Sequence, residues 1–301
     1  TTPYGATKIY ICSYVNSANF LTYTKCKKVK TVTINKMLNN NYYKTNIGFI
    51  SRQGQLNNYP ENSLHGIKCA YENGYDNIRV SVTMTADHVP VLCHDETINR
   101  LARNSDGTTI TDTIYLKDLT LEQLNAYDWG RISGKPEIYG IGITTLEEFV
   151  KFAKYRGIKI RLELKYTFTD DDINSIILLL AKWGMLQHVT ICGSITDLDK
   201  FYEKCKCCDY ALVGNINNTA IIPDILKYKN ENNNVWLDMF GENYDITTPE
   251  LILQYKTNGI LIKVGSAYNT SDIKKWFEAG VDYMEVAYIS EPQKYIYSQY
   301  S

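Results

Sequence analysis

Short β-like runs alternate with helical patterns over most of this 301-residue chain, and this alternation constrains its fold more than any other feature. Eight runs rich in apolar and β-branched residues, each bounded by polar or glycine positions, predict strands. The predicted strands are residues 47–51, 77–83, 159–164, 188–192, 210–214, 234–239, 260–264 and 283–287. Because helical patterns separate most of them, the order predicts an α/β fold, a (β/α)₈ TIM barrel.

Helix signals between the strands support this prediction. Thr145 and Glu148 have the spacing of a capping box. Thr248 is predicted as the N-cap of another helix, with Pro249 at its first position. The amphipathic helix that begins near residue 271 closes on Gly280. An open doubly wound sheet is the alternative fold, but no glycine-rich phosphate loop follows the first strand. The barrel is therefore the favoured architecture.

Two segments depart from simple alternation. Residues 84–88 are too few for a helical crossover, so residues 89–93 should turn back antiparallel and bring His94 to the level of Arg79 and Ser81. Residues 96–144 then form a long excursion after the third strand. Such an excursion either shapes a substrate pocket or only covers apolar surface, and both interpretations stay open.

Composition excludes several classes of function. Hydrophobic residues make up 44% and charged residues 22% of a chain whose formal net charge is −1. These values are typical of a soluble globular protein without the overall field that recruits nucleic acid or an anionic membrane. No run approaches the roughly 20 apolar residues of a transmembrane helix. We therefore expect no nucleic-acid partner and no membrane span.

Residues 1–45 predict a short β-rich extension that precedes a barrel domain over residues 46–301. The chain starts with Thr-Thr-Pro rather than with Met, and no signal-peptide pattern is visible. This start favours a position inside a longer protein, where the extension could link the barrel to a larger assembly. The compartment and the role of the extension stay open.

Eight cysteines are present, and three of them cluster as Cys205-Lys206-Cys207-Cys208. A second cysteine pair at zinc-site spacing is missing, and a chain of this length does not need disulfides for its stability. The sequence favours reduced structural thiols over a metal site, and the role of this cluster stays open.

Motifs within residues 47–95 carry the chemical information. In order they are Arg52-Gln53-Gly54, Pro60-Glu61-Asn62-Ser63, Arg79-Val80-Ser81, Ala86-Asp87-His88 and His94-Asp95. A further motif, Leu162-Glu163-Leu164-Lys165, follows on a later predicted strand. Their order and spacing resemble the glycerophosphodiester phosphodiesterase family of the PLC-like TIM-barrel superfamily. That family reads His-Arg-Gly, Pro-Glu-Asn-(Thr/Ser), Glu-x-Asp, Lys-Asp-Gly, His-Asp and Glu-x-Lys.

The resemblance implies a phosphoric diester hydrolase of lipid metabolism. In that family three carboxylates hold a divalent cation, Ca²⁺ or Mg²⁺, that binds the phosphodiester oxygens, and two histidines transfer protons. Position by position, His94 matches the second catalytic histidine, Glu163 the third metal ligand and Lys165 the phosphate-side lysine. Glu61 and Asn62 match the framework motif beside the site, and we expect them to contribute to binding of the substrate or anion.

This chain departs from the family at the positions that carry the chemistry. Arg52 stands at the first catalytic histidine, and Arg79 and Ser81 stand at two metal carboxylates. A guanidinium stays protonated across the physiological range and cannot serve as a base, and one remaining carboxylate makes a poor site for a hard cation. The family's Trp-Thr-Val-Asn segment is also replaced, by a segment that begins at Lys263. We therefore expect no cofactor and an impaired metal site.

Strand alternation predicts that the substituted side chains share one inward face with Glu163. One hypothesis is that Arg52, Arg79 and Lys165 bind a phosphate or another anion directly, with Lys263 nearby. The alternative is that Arg79 pairs with Glu163 in a salt bridge.

Three functions remain open at this stage. The leading one is a degenerate hydrolase, a pseudoenzyme that binds a phosphorylated or anionic ligand. The second is an active hydrolase that releases glycerol 3-phosphate with His94 as general acid. The third is a non-catalytic scaffold or adhesion domain of a larger assembly.

Overall fold

The computed structural model describes residues 48–54, 59–239, 248–267 and 270–286. The extension predicted over residues 1–45 lies outside these ranges. Within them, no helix is both long enough and apolar enough to cross a membrane.

Eight parallel strands close into a barrel, which confirms the predicted TIM-barrel fold. The barrel strands are β1 (Gly48–Arg52), β2 (Asn77–Met84), β4 (Lys159–Leu164), β5 (Val189–Gly193), β6 (Asp209–Val213), β7 (Val235–Met239), β8 (Leu261–Ala267) and β9 (Tyr283–Val286). Strand β1 pairs with β9 on one side and with β2 on the other, and this double pairing closes the ring. Every predicted barrel strand is present, with boundaries shifted by at most a few residues.

Strand β3 (Pro90–Leu92) is the exception to the parallel order. It pairs antiparallel with β2, as its short connection predicts, with Val82 opposite Leu92. His88 lies in the turn between them with a φ of 57°, a left-handed conformation that glycine adopts more easily. Its Nδ1 lies 2.9 Å from a carboxylate oxygen of Asp172, which holds the turn against the helix that follows β4.

Helices cover the outside of the barrel. They are α1 (Leu64–Glu72), α2 (Leu121–Leu124), α3 (Leu146–Lys154), α4 (Asp170–Lys182), α5 (Ile195–Lys204), α6 (Ile222–Leu226), α7 (Pro249–Thr257) and α8 (Thr270–Ala279). The predicted caps are confirmed: Thr145 and Glu148 form a full capping box, and Thr248 caps a helix whose first residue is Pro249. These caps satisfy backbone N–H groups that the first helical turn leaves unpaired.

Alternation along the strands separates an apolar outer face from a charged interior. Ile78, Val80 and Val82 on β2 are fully buried in the cluster that joins strands and helices. The intervening Arg79 and Ser81 point into the barrel. The packing between strands and helices is therefore the main hydrophobic core, and the barrel interior contains charged and polar side chains.

The excursion after β3 has a hydrophobic core of its own. Its cluster of buried side chains includes Ile98, Leu101, Leu124 and Trp129, and it is separate from the main core. This excursion also contributes side chains to a cavity near the barrel mouth. Both interpretations of this segment therefore hold in part: it covers apolar surface and it shapes a pocket.

Two side chains of α4 provide a test of the main core. Ile176 is fully buried and Leu178 is 69% exposed on the same helix. Replacing Ile176 by Ala should lower the free energy of unfolding by about 2–5 kcal/mol, because it removes buried methyl groups and leaves a cavity. Leu178→Ala is the matched control and should change it by less than about 0.5 kcal/mol. Urea unfolding measures both, and equal effects would contradict this assignment of the buried face.

Candidate active site

Charged side chains occupy the barrel interior, where most TIM barrels carry apolar layers. Arg79 on β2 lies between two carboxylates. It contacts Glu163 on β4, and its Nη1 donates to Oε1 of Glu285 on β9 over 3.0 Å. All three residues are at most 6% exposed. Strand β4 pairs directly with β2, whereas β1 lies between β2 and β9. Arg79 therefore connects β2 to one strand on each side of it in the ring.

A second set of ion pairs continues the network. Arg161 on β4 reaches across the barrel to contact Asp238 on β7. The Nζ of Lys263 lies 2.5 Å from Oε2 of Glu285 and 3.7 Å from Oδ2 of Asp238. Lys263 was predicted as an anion-binding residue, and the structure places it inside the network, 4% exposed and between two carboxylates. Its position leaves little surface for a ligand.

Two further cations lie at the outer end of the network. The Nε of Arg52 lies 3.7 Å from Oε1 of Glu285, and the Nζ of Lys165 lies 3.2 Å from Oε1 of Glu163. Their side chains are 30% and 22% exposed. Arg52 ends β1 and Lys165 directly follows β4, so both lie at the carboxyl edge of the barrel, where TIM-barrel active sites form.

Positive charge exceeds negative charge in this network. Among the described residues it joins five cationic side chains to three carboxylates; they are Arg52, Arg79, Arg161, Lys165 and Lys263, with Glu163, Asp238 and Glu285. The three deeper cations equal the three carboxylates in number, so the surplus of this network corresponds to Arg52 and Lys165 at the exposed rim. An anion at the rim would therefore be favoured electrostatically.

Burial and ion pairing act in opposite directions on the pKa values of the network. Burial would raise the pKa of Glu285, but the charges of Arg79 and Lys263 outweigh it and lower this pKa to about 2. Burial likewise opposes ionisation of Glu163, yet Arg79 and Lys165 hold its pKa below the ordinary value. The pairs are therefore ionised at neutral pH.

The residues present do not fit the divalent cation that the resemblance implies. At the two positions that the resemblance aligns with metal carboxylates, the guanidinium of Arg79 contacts Glu163, and the hydroxyl of Ser81 donates to Oε2 of Glu163 over 2.7 Å. Lys165 contacts the other oxygen of the same carboxylate. A hard cation needs several oxygen ligands and would here face two fixed positive charges. Glu163 is therefore placed as the partner of Arg79.

His94 lies in a second polar cluster, together with Glu61 and Asp95. Its Nδ1 is 2.9 Å from Oδ1 of Asp95, and the imidazole is 33% exposed. The Nδ1 proton is assigned from this contact with a carboxylate. The hydroxyl of Tyr166 donates to the His94 carbonyl over 2.8 Å, which holds this loop against the end of β4, next to Lys165.

Arg100 organises this cluster. It donates to both oxygens of Glu61, at 2.9 and 2.7 Å, and to both oxygens of Asp95, at 2.6 and 2.9 Å. These hydrogen bonds hold the pKa of Asp95 below its ordinary value. Glu61, His94 and Asp95 lie close enough together to hold a metal ion, but Arg100 already occupies both carboxylates with hydrogen bonds. No local sequence pattern marks Arg100, so it was not among the predicted site residues.

Asn62 and Gln53 hold the backbone beneath the network. Asn62 has a φ of 57°, and its Oδ1 accepts the backbone N–H of Ser81 over 3.0 Å. Gln53 has a φ of 53°, and its backbone N–H donates to the carbonyl of Arg79 over 2.8 Å. Both adopt the left-handed region that non-glycine residues rarely occupy. Asn62, predicted as a binding residue, is 2% exposed and serves here to position β2.

Two cavities of very different size adjoin the network. About 10 Å³ remains between Arg79, Glu163, Asp238 and Lys263, which is close to the space of one water molecule. A cavity of about 720 Å³ lies at the carboxyl ends of β2, β4 and β5, with Lys165 in its wall. The barrel interior is thus filled, and space for a ligand begins at Lys165.

The sequence and the fold of this chain are similar to those of known proteins. The model of the glycerophosphoryl diester phosphodiesterase family matches residues 53–176. A glycerophosphodiester phosphodiesterase of Caldanaerobacter subterraneus is 25% identical over 77% of this chain and 90% of its own length. Human glycerophosphodiester phosphodiesterase 1 is 37% identical over 26% of this chain and 21% of its own. The solved structure of an Oleispira antarctica phosphodiesterase in complex with the product sn-glycerol-3-phosphate has a TM-score of 0.70 at 18% identity, covering 86% of this chain and 99% of that chain.

The low pKa of Glu285 makes a prediction for acid unfolding. Its folded-state pKa of about 2 lies below the ordinary 4.5, so its ionised form stabilises the fold above pH 4.5. That contribution should be lost as the pH falls from 4.5 towards 2. Glu285→Gln should therefore be less stable at pH 7 and should lose less stability over this interval, as measured by urea unfolding at each pH. The exposed Glu231→Gln is the control, and a Glu285→Gln slope equal to that of the wild type would contradict the prediction.

Proposed function

Because this chain belongs to the glycerophosphodiester phosphodiesterase family, we propose that its barrel binds a small phosphorylated ligand at Arg52 and Lys165 without a divalent cation. In this proposal cation-dependent hydrolysis is greatly reduced. The supporting observation is the excess of five cationic side chains over three carboxylates, with the two most exposed cations at the rim.

A phosphate group matches the two rim cations. The guanidinium of Arg52 offers paired N–H donors to phosphate oxygens, and the ammonium of Lys165 supplies a compact charge. Within the network, Arg52 shares Glu285 with Arg79, and Lys165 shares Glu163 with Arg79. A phosphate bound between the two rim cations would bring its negative charge next to both of them. The role of the metal would then pass to side chains of the protein.

Loss of cation-dependent hydrolysis follows from the same residues. Arg52 stands where the family has its first catalytic histidine, and a guanidinium cannot accept a proton at physiological pH. Arg79 fills the place beside Glu163 that a metal would need. Both changes remove transition-state stabilisation without removing the positive potential that attracts a phosphate.

The ligand class follows from the family and from the cavity. The Oleispira antarctica phosphodiesterase was solved with sn-glycerol-3-phosphate, so glycerol phosphates are the first ligands to test on this chain. The 720 Å³ cavity that begins at Lys165 provides room for a second substituent on the phosphate. Its wall carries Tyr115 and Tyr166 together with charged side chains of both signs, including Lys117 and Glu96.

A second candidate function is slow hydrolysis without a cation. It is favoured by the pair of His94 and Asp95, because a carboxylate that holds Nδ1 leaves Nε2 available for proton transfer. His94 would then protonate the leaving alkoxide while Arg52 and Lys165 hold the phosphate. Its measurable consequence is activity that survives chelation and is lost in His94→Ala.

Binding can be tested by titration calorimetry with sn-glycerol 3-phosphate in the presence of EDTA. We expect binding by the wild type, and a loss of affinity of at least about tenfold in Arg52→Gln and in Lys165→Met, because each removes a charged partner of the phosphate. The matched control is Lys229→Met, an exposed lysine outside this site, which should bind as the wild type does. Binding that requires added Ca²⁺ or Mg²⁺ would contradict the proposal.

Hydrolysis can be tested with glycerophosphocholine in Ca²⁺, in Mg²⁺ and in EDTA. We expect no stimulation of glycerol phosphate release by either cation. The triple variant Arg52→His, Arg79→Glu, Ser81→Asp restores the family's residues, so Ca²⁺ should raise its Tm and stimulate its turnover. Cation-stimulated release by the wild type would overturn the claim of a lost metal site.

A further inference from the structure

Three thiols converge at the turn between α5 and β6. The Sγ of Cys205 lies 3.3 Å from the Sγ of Cys207 and 3.6 Å from the Sγ of Cys208. Cys205 is 5% exposed, Cys208 is fully buried and Cys207 is half-buried. Cys205 is thus the centre of the cluster, within reach of both neighbours.

Hydrogen bonds on both sides hold this turn in place. Cys205 caps the C-terminus of α5 in an extended conformation, and its N–H donates to the carbonyl of Phe201 over 2.8 Å. Its own carbonyl accepts from the hydroxyl of Tyr210. The carbonyl of Cys208 accepts from Nδ2 of Asn233 over 3.1 Å. The approach of the three sulfur atoms is therefore built into the fold.

The thiols of this cluster differ from other buried thiols in the chain. Burial raises the pKa of Cys93, in the excursion core, and of Cys192, on β5, to about 12, so both stay protonated and unreactive. Hydrogen bonding from Cys208, supported by Cys207, lowers the pKa of Cys205 to about 5 despite its burial. The S–H of Cys208 thus faces a thiolate.

We propose that Cys205 and Cys208 form a reversible disulfide when a hydroperoxide oxidises this cluster. Their spacing is the C-x-x-C arrangement of thiol–disulfide proteins. The 3.6 Å between their sulfur atoms closes to a bond by side-chain rotation within a turn of four residues. Cys207, the most exposed of the three, stays reduced.

The chemistry balances in two steps. The Cys205 thiolate attacks one oxygen of hydrogen peroxide, the O–O bond breaks, and hydroxide leaves as the sulfenic acid forms. The sulfur of Cys208 then attacks the Cys205 sulfur, the S–O bond breaks, and the Cys208 proton leaves with the departing hydroxide as water. Overall, a thiolate and a thiol lose two electrons and one proton to form the disulfide, and peroxide becomes one water and one hydroxide, which takes up a proton from solvent. A dithiol reductant reverses the change by thiol–disulfide exchange.

Trypsin provides a direct test on the full chain, because it cleaves after Lys204 and after Lys206. After treatment with hydrogen peroxide, the Cys205–Lys206 dipeptide should be disulfide-linked to the peptide that begins at Cys207, and dithiothreitol should release it. The link should persist in Cys207→Ser and disappear in Cys208→Ser. Cys69→Ser, a half-buried thiol on α1, is the control and should keep the link.

Several outcomes would overturn the proposal. They are a link that survives in Cys208→Ser, a link that is lost in Cys207→Ser, and no link in the wild type. Fragmentation of the linked wild-type peptide assigns the bond to residue 207 or residue 208 independently of any variant. Stoichiometric zinc in the purified protein would also overturn it, because the thiolates would then be metal ligands.

The pH dependence of oxidation distinguishes Cys205 from an ordinary thiol. With a pKa of about 5, Cys205 is almost fully ionised at pH 6, so the rate of disulfide formation should change less than about twofold between pH 6 and pH 8. A thiol with an ordinary pKa would react more than about fiftyfold faster at the higher pH. Quenched-flow alkylation with mass spectrometry measures this rate, and a fiftyfold rise would contradict the role of Cys205.

Discussion

Mutual compensation of buried charges is the constraint on which the interior of this barrel depends. Arg79, Glu163 and Glu285 lie out of contact with bulk water, and an isolated charge there would cost several kcal/mol. Arg79 is stabilised by the two carboxylates, and each carboxylate is stabilised by Arg79. The network therefore ties β2, β4 and β9 together from inside, in addition to the backbone ladder that joins each strand to its neighbours.

The contacts of the framework motifs are separate from those of the charged interior. The Asn of the Pro-Glu-Asn motif bonds the backbone of Ser81, and the Glu of that motif shares Arg100 with Asp95. These contacts hold the loops and β2 whatever chemistry occurs between them. Arg79 and Ser81, which the resemblance aligns with metal carboxylates, point inward, and their side chains meet Glu163 rather than the framework.

Sequence patterns predicted the fold more fully than the site. Strand runs and the short connection at residues 84–88 are local signals, and they were sufficient for the barrel and for the antiparallel β3. Alternation also predicted that Arg79, Ser81 and Glu163 share one face. It could not decide whether Arg79 would pair with Glu163 or face a ligand, because that depends on distances across the barrel.

No sequence pattern predicted the contacts between residues that are far apart in the chain. The pair of Arg161 and Asp238 joins residues 77 positions apart, and Arg100 reaches Glu61 across 39 positions. Such contacts depend on barrel radius and side-chain rotamers, which no local pattern encodes. Likewise, the cysteine cluster was visible in the sequence, but the central place of Cys205 depends on the geometry of the turn.

The position of Arg79 between Glu163 and Glu285 also bears on how such a barrel can evolve. A single change of Arg79 to a carboxylate would place a third negative charge between Glu163 and Glu285 in a buried space. Within the part of the chain that the structure describes, only Lys165, Lys263 and Arg52 would remain as cationic partners of these carboxylates. That variant would be poorly stable, so selection could not easily retain it. The arginine is therefore easily kept and difficult to exchange for a carboxylate one substitution at a time.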